Sequence, residues 1–235
     1  MKITGIQKNS FIDYPGKIAA VVFTPGCNMD CFYCHNRQII CTSQQSELID
    51  EQVFWDFIKK RKSLLEGIVI SGGEPTLQSD LPAYIKAIKD MGYSVKLDTN
   101  GTNPDMLQKL IEENLIDYVA MDIKAPFEKY QKICGCIIEM RAIQESIDLL
   151  IQSENDYEFR TTFVPQLTEE DGVSIAKKIK GAKKYVLQQY RKPITKGIDF
   201  QDERLDDAPY TTHVMYNIKS QVEHFVQTVE LRGVS

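Results

Sequence analysis

Short apolar, β-branched runs recur along the chain at residues 18–24, 67–71, 94–99, 118–123, 157–164 and 185–190. Each has the length of a strand, and most are near-continuously apolar, as strands buried on both faces are. Between them the apolar positions change to helical spacing. One predicted helix begins at Ser79 as N-cap, carries Leu81, Tyr84, Ile85, Ile88 and Met91 on one stripe, and stops at Gly92. The next has Asn103 as cap and Pro104 at its first position, with Leu107, Leu110 and Ile111 facing inward. Further helices are predicted over 51–61, 139–152, 169–181 and 216–228. Six strand-then-helix units predict an α/β fold with a parallel sheet wrapped by helices. Eight would close a full barrel; six predict an open partial TIM barrel, (β/α)6. The expected organisation is a single domain over 1–235, with a core at about 16–191 and a C-terminal extension at 192–235.

Composition narrows the class. With 43% hydrophobic residues over 235 positions the chain can build a core without disulfide staples. The sequence has no run of 18 or more apolar residues and no Arg-rich or apolar leader, so no membrane segment and a cytoplasmic location are expected. The net charge of -5 offers no basic field for nucleic acid. Lys177, Lys178, Lys180, Lys183, Lys184, Arg191 and Lys192 are spread over a predicted helix and strand and precede Asp199, Asp202, Glu203, Asp206 and Asp207, the pattern of a solvated face. Trp55, His213 and His224 carry no pattern; His213 is expected in a loop and His224 on a helix, both as plain structural residues.

The candidate chemistry is concentrated after the first strand, where Cys27, Cys31 and Cys34 stand as C-x3-C-x2-C, followed by His35 and Asn36. That spacing lets three thiolates wrap one face of a cubane iron–sulfur cluster, leaving one iron open for a substrate. A structural zinc ion takes four ligands, and the chain has no second pair at suitable spacing; His35 adjoins Cys34 and would chelate the same ion only under strain. Cys41, Cys134 and Cys136 stand outside the motif. They are read as ordinary partly buried thiols, with an auxiliary cluster as the alternative.

In α/β sheets of this kind the chemistry collects at the C-terminal ends of the strands. The second strand runs into Gly72, Gly73, Glu74 and Pro75, where glycines admit a ligand close to the backbone and strand-end carbonyls accept hydrogen bonds from an ammonium group. The third ends in Asp98, Thr99, Asn100 and Gly101, the fourth in Asp122, Ile123 and Lys124. Taken alone, each Asp reads as a cap of the following turn. Taken with the cysteines, Lys124 suits a substrate carboxylate, and Asp98 and Asp122, with the carbonyl of Ala120 or the hydroxyl of Thr99, supply hard oxygens for a cation.

The cysteine triplet followed by Gly-Gly-Glu-Pro resembles the radical S-adenosylmethionine (radical SAM) superfamily. Thr24-Pro-Gly-Cys27, Cys31-Phe-Tyr-Cys34-His-Asn36, Leu97-Asp-Thr-Asn-Gly101 and Asp122-Ile-Lys124 narrow the resemblance to activating enzymes of glycyl radical enzymes. Asp13-Tyr-Pro-Gly16 and Ala125-Pro-Phe-Glu-Lys-Tyr130 are most similar to activating proteins of anaerobic (class III) ribonucleotide reductase, with pyruvate formate-lyase activating enzyme as a cousin.

The resemblance implies a [4Fe-4S] cluster on Cys27, Cys31 and Cys34, with S-adenosylmethionine as cosubstrate. A reduced cluster would cleave it to methionine and a 5′-deoxyadenosyl radical, which takes a hydrogen from one glycine Cα of the partner. It implies further that Gly72, Gly73 and Glu74 hold the methionine ammonium and Lys124 its carboxylate, with Tyr33 near the adenine. Asn100, Arg160, Gln189 and Arg191 complete the cofactor site, and a monovalent cation sits at Asp98, Thr99 and Asp122. Arg160 is a charge within an otherwise apolar strand, which favours an inward contact. The implied partners are the reductase large subunit and a flavodoxin or ferredoxin as electron donor. Two rivals stay open: a compact small-molecule radical SAM enzyme such as 7-carboxy-7-deazaguanine synthase, and a non-catalytic metal-binding module.

Overall fold

The structure, a computed structural model, describes residues 1–40, 48–194 and 200–234. The fold is α/β, and its strands follow one another in chain order in a sheet that does not close. The residues group into two compact units, with Met1–Asn28, Asn36–Thr99 and Asn103–Val119 in the first, and Met29–His35, Asn100–Thr102 and Ala120–Ser235 in the second. Among the described residues no helix is long and apolar enough to cross a membrane.

The first unit carries β1 (Gly5–Ser10), β2 (Ala19–Thr24), α1 (Arg37–Ile40), α2 (Glu51–Lys60), β3 (Gly67–Gly72), α3 (Leu81–Asp90), β4 (Ser94–Thr99), α4 (Pro104–Glu112) and the start of β5 (Tyr118–Asp122). β2, β3 and β4 pair in parallel, with Val21 opposite Val69 and Ile70 opposite Leu97. Ala19, Ala20, Val22, Ile68, Val69, Ile70, Val95 and Leu97 are wholly buried, which is why β2 and β3 read as continuous apolar runs. β1 pairs antiparallel with β2. The sequence pattern did not predict it, because Gln7, Lys8 and Asn9 keep its middle exposed.

α4 starts as predicted: Asn103 Oδ1 accepts from the Met106 amide at 3.2 Å, with Pro104 in the first turn. In α3 the cap differs. Asp80, not Ser79, occupies the N-cap position, and Pro82 in the first turn helps fix the helix start.

The second unit holds the end of β5, then α5 (Tyr130–Cys134), α6 (Met140–Gln152), β6 (Asp156–Phe163), α7 (Glu169–Lys178), β7 (Tyr185–Gln189), α8 (Thr212–Val222) and β8 (Val229–Arg232). β6, β7 and β8 pair in parallel, with Thr161 opposite Leu187 and Leu187 opposite Leu231. The C-terminal region corrects two expectations. The last helix runs Thr212–Val222, started by Thr211, whose hydroxyl accepts from the Val214 amide at 3.4 Å. His213 therefore lies on the helix and His224 in the turn after it, the reverse of the expectation. β8 was missed, a four-residue strand whose only fully buried side chain is Val229.

Candidate active site

In the first unit the turn after β3 packs against the backbone leading into Cys27. Gly72 has φ +119°, and a Cβ there would lie 2.3 Å from the Thr24 amide nitrogen. A Cβ on Gly73 would lie 1.8 Å from the Gly26 carbonyl oxygen. The amides of Gly73 and Glu74 donate to the carbonyls of Thr24 and Gly26, each at 2.9 Å. The backbone these two glycines admit is thus the chain's own cysteine loop. The Gly72 carbonyl accepts from Asn36 Nδ2 at 2.8 Å, which ties the residue after Cys34-His35 to the same turn. Glu74 is 1% exposed, and its Oε1 accepts from the Thr76 amide at 3.1 Å and the Thr99 hydroxyl at 2.8 Å, stitching the end of β3 to the end of β4.

Asp98 forms an ion pair with Lys96, two residues earlier on the same face of β4, and accepts from Ser71 Oγ at 3.2 Å. Lys96 is only 2% exposed. Lys96 is the partner of an expected site residue, and its i, i+2 spacing from Asp98 within one strand is a signal legible in the sequence.

In the second unit Cys31 and Cys34 belong to one turn, closed by the Cys34 amide donating to the Cys31 carbonyl at 3.1 Å. Cys31 is buried beside Cys134, and the two thiols are hydrogen-bonded. That bond, against the opposing effect of burial and with help from Lys124, brings the Cys31 thiol down to about 7. The same bond and burial push Cys134 up. The Asp30 amide donates to the Cys134 carbonyl at 2.8 Å, so the end of α5 is fixed to the cysteine loop. Cys134 had no signal in the sequence that would place it there. Cys136 is half-buried, and burial raises its thiol. Cys41 lies outside the described residues.

Tyr33 is buried with its phenol oxygen unpartnered among the described residues, and burial holds its proton well above the usual tyrosine range. Asp122 takes Lys124 Nζ on Oδ2 and Arg160 Nε on Oδ1, each at 2.8 Å. Burial opposes its charge, but Arg160 and then Lys124 outweigh it and hold the carboxyl well below the carboxylate range. Burial likewise works against the Lys124 ammonium, and Asp122, Tyr33 and Cys31 hold it well above its ordinary value.

The remaining expected residues are occupied locally. Asn100 Oδ1 accepts from the Thr102 amide at 3.0 Å, and Gln189 Nε2 donates to the Tyr210 carbonyl at 2.7 Å. Arg191 is exposed, and its backbone hydrogen-bonds His35, whose ring burial holds below its ordinary value.

The donor set fits the implied cluster: three thiols in an eight-residue loop, with the buried, unpartnered Tyr33 phenol between two of them. Among the described residues no three His, Cys, Asp or Glu side chains are grouped about a point as ligands of a single metal ion. Cluster cysteines bond different irons and do not need such a grouping.

An open α/β sheet with this cysteine loop after β2 and Gly-Gly-Glu-Pro after β3 defines a class. The Radical SAM superfamily profile matches residues 21–179, and the chain belongs to that superfamily. Within it, the chain is 41% identical over 196 residues to a Methanocaldococcus jannaschii protein that carries the name glycyl-radical enzyme activating enzyme, covering 80% of this chain and 79% of that one. It is 28% identical over 160 residues to a 7-carboxy-7-deazaguanine synthase of Thermoplasma acidophilum, covering 66% and 71%. Among solved structures, Streptococcus suis SuiB bound to the precursor peptide SuiA shares the fold at a TM-score of 0.63 and 14% identity, over 91% of this chain and 48% of that one. The protein is a radical SAM enzyme homologous to glycyl-radical enzyme activating enzymes, and its family implies a [4Fe-4S] cluster and S-adenosylmethionine.

Proposed function

We propose that this enzyme generates the glycyl radical of anaerobic ribonucleoside-triphosphate reductase. The observation that carries the activase reading is the 41% identity, along four-fifths of the chain, to the Methanocaldococcus jannaschii protein named for glycyl-radical enzyme activation. The choice of reductase rests on Asp13-Tyr-Pro-Gly16 and Ala125-Pro-Phe-Glu-Lys-Tyr130.

Cys27, Cys31 and Cys34 hold the cluster. When bound, it would supply the electron for cleavage of S-adenosylmethionine. The chain's own residues then have separate tasks. Lys124 presents a charged ammonium, kept protonated by Asp122, to the methionine carboxylate, while Arg160 holds Asp122 in place from its other oxygen. Gly72, Gly73 and Glu74 offer backbone to the ammonium; the side chain of Glu74 is already committed to Thr76 and Thr99, which rigidifies that turn. Tyr33 offers to the nucleoside an aromatic ring and a hydroxyl that has no hydrogen-bond partner among the described residues. Asn100, Gln189 and Arg191 are assigned to the same cofactor. A monovalent cation at Asp98, Thr99 and Asp122 has to compete with Lys96 for the first and with Lys124 and Arg160 for the last. Glycine suits the hydrogen transfer because it has no side chain to block its Cα.

Release of 5′-deoxyadenosine by anaerobically reconstituted, dithionite-reduced protein tests the radical chemistry, and its absence would return the chain to a metal-binding module. Similarity to 7-carboxy-7-deazaguanine synthase supports a second reading, a small-molecule substrate. 5′-Deoxyadenosine formation that depends on an added small molecule, without any protein radical, would decide for it. A radical formed on pyruvate formate-lyase but not on the reductase would redirect the partner within the activase class. A flavodoxin or ferredoxin is the proposed electron donor in the cytoplasm.

A further inference from the structure

Arg204 lies far along the chain from the cysteine loop, yet its guanidinium stacks on Phe32, 4.1 Å from the ring centroid. Phe32 stands between Cys31 and Tyr33, is 1% exposed, and meets the Tyr33 ring edge-on at 5.2 Å. The guanidinium, a third exposed, is the outer layer over this ring.

Its other donors are fixed. Nε and one terminal nitrogen take both oxygens of Asp202 at 2.8 and 2.6 Å, and the other terminal nitrogen donates to the Lys132 carbonyl at 2.7 Å. Asp202 is held in turn by the Arg204 amide at 3.0 Å, closing a short turn over Glu203–Asp206. Lys132 lies in α5, the helix that ends in Cys134, whose carbonyl is bonded to the Asp30 amide. One planar side chain thus grips both the turn that carries Cys31 and Cys34 and the helix packed against it. A fork and a flat face are needed together, which arginine provides and lysine does not.

We propose that Arg204 is a positioning residue for the cysteine loop. By pinning Phe32 against α5 it fixes where the Cys31 and Cys34 sulfurs stand and keeps solvent from them. This rests on the reading that the loop binds the cluster.

The test compares wild type with Arg204→Lys and Arg204→Ala in the full chain. In iron-free protein, alkylation of each cysteine by iodoacetamide is followed by peptide mass spectrometry. In anaerobically reconstituted protein, bleaching of the cluster absorbance on exposure to air is timed. Both variants are expected to alkylate Cys31 and Cys34 about tenfold faster, with Cys27 little changed, and to bleach several-fold faster. Arg204→Lys, which keeps the charge and the stem, is expected not to rescue either rate. Rates within twofold of wild type in both variants, or an equal rise at all three cysteines, would overturn the proposal. If wild type assembles no cluster while the alkylation pattern holds, the cluster reading fails and the positioning role stands.

Discussion

Gly73 faces the carbonyl oxygen of Gly26 so closely that a Cβ on it would come within 1.8 Å of that oxygen. The residue before Cys27 and the second glycine of Gly-Gly-Glu-Pro are therefore in backbone contact, joined also by the Glu74 amide. The backbone leading into Cys27 and the Gly-Gly-Glu-Pro turn are thus packed together within the first unit.

Gly73→Ala has to part these segments. We expect a loss of about 1–3 kcal/mol in urea unfolding, the usual range for an overpacked site, and at least a tenfold fall in 5′-deoxyadenosine formation. Stability and activity equal to wild type would refute the shared-backbone account.

Lys124→Ala leaves Asp122 with Arg160, so the fold and the cluster are expected to survive. Binding of S-adenosylmethionine is expected to weaken about tenfold or more, in line with loss of a charge-assisted contact. Titration of the cluster EPR signal with S-adenosylmethionine measures this. An unchanged affinity would remove Lys124 from the site.

Cys31→Ala is expected to abolish S-adenosylmethionine cleavage and leave far-UV circular dichroism unchanged, because the residue sits in a loop turn. Cleavage retained by this variant would defeat the ligand assignment.

Glu158, wholly buried on β6, is held bidentately by Arg232 of β8 at 2.7 Å on each oxygen. Arg232→Ala removes both of these hydrogen bonds from a buried carboxylate, whose ion pair with Lys184 spans 3.6 Å, and is expected to cost about 3 kcal/mol in urea unfolding. A change below 1 kcal/mol would show that β8 adds little to the second unit.

Glu230, beside that pair, has its carboxyl held below the ordinary value: burial opposes this, and Arg232 and Lys184 outweigh it. A depressed folded value means that its contribution is present at neutral pH and is lost as pH falls below about 4.5. Because Glu230 is well exposed, the contribution is expected to be small and to shrink in 1 M salt. Glu230→Gln should flatten this acid limb in stability measured from pH 3 to 7.

Much of this was legible in the sequence, for identifiable reasons. β2, β3 and β5 are apolar nearly throughout and showed as runs, and β4 and β6 kept enough apolar positions among their polar ones to read as strands; β1 is polar in the middle and β8 is four residues long, and neither leaves such a trace. The cysteines and Gly-Gly-Glu-Pro were legible because their chemistry depends on local spacing. Cys134 and Arg204 were not, since contacts made across the sequence carry no local pattern. Arg204 sits in the acidic stretch Gln201-Asp-Glu-Arg204-Leu-Asp-Asp207, where a lone arginine reads as surface. Asp98 and Asp122 were visible as strand-end carboxylates, and the spacing of Lys96 from Asp98 was legible too, but the pairing of Asp122 with Arg160, 38 residues away, emerges only in the fold.

The most direct measurement is electron paramagnetic resonance on reconstituted, reduced protein mixed with S-adenosylmethionine and the large subunit of the anaerobic ribonucleotide reductase from the same source. The account predicts a glycyl radical doublet that disappears when S-adenosylmethionine is left out. A cluster signal that responds to S-adenosylmethionine but yields no doublet on the reductase would contradict the assignment of that partner.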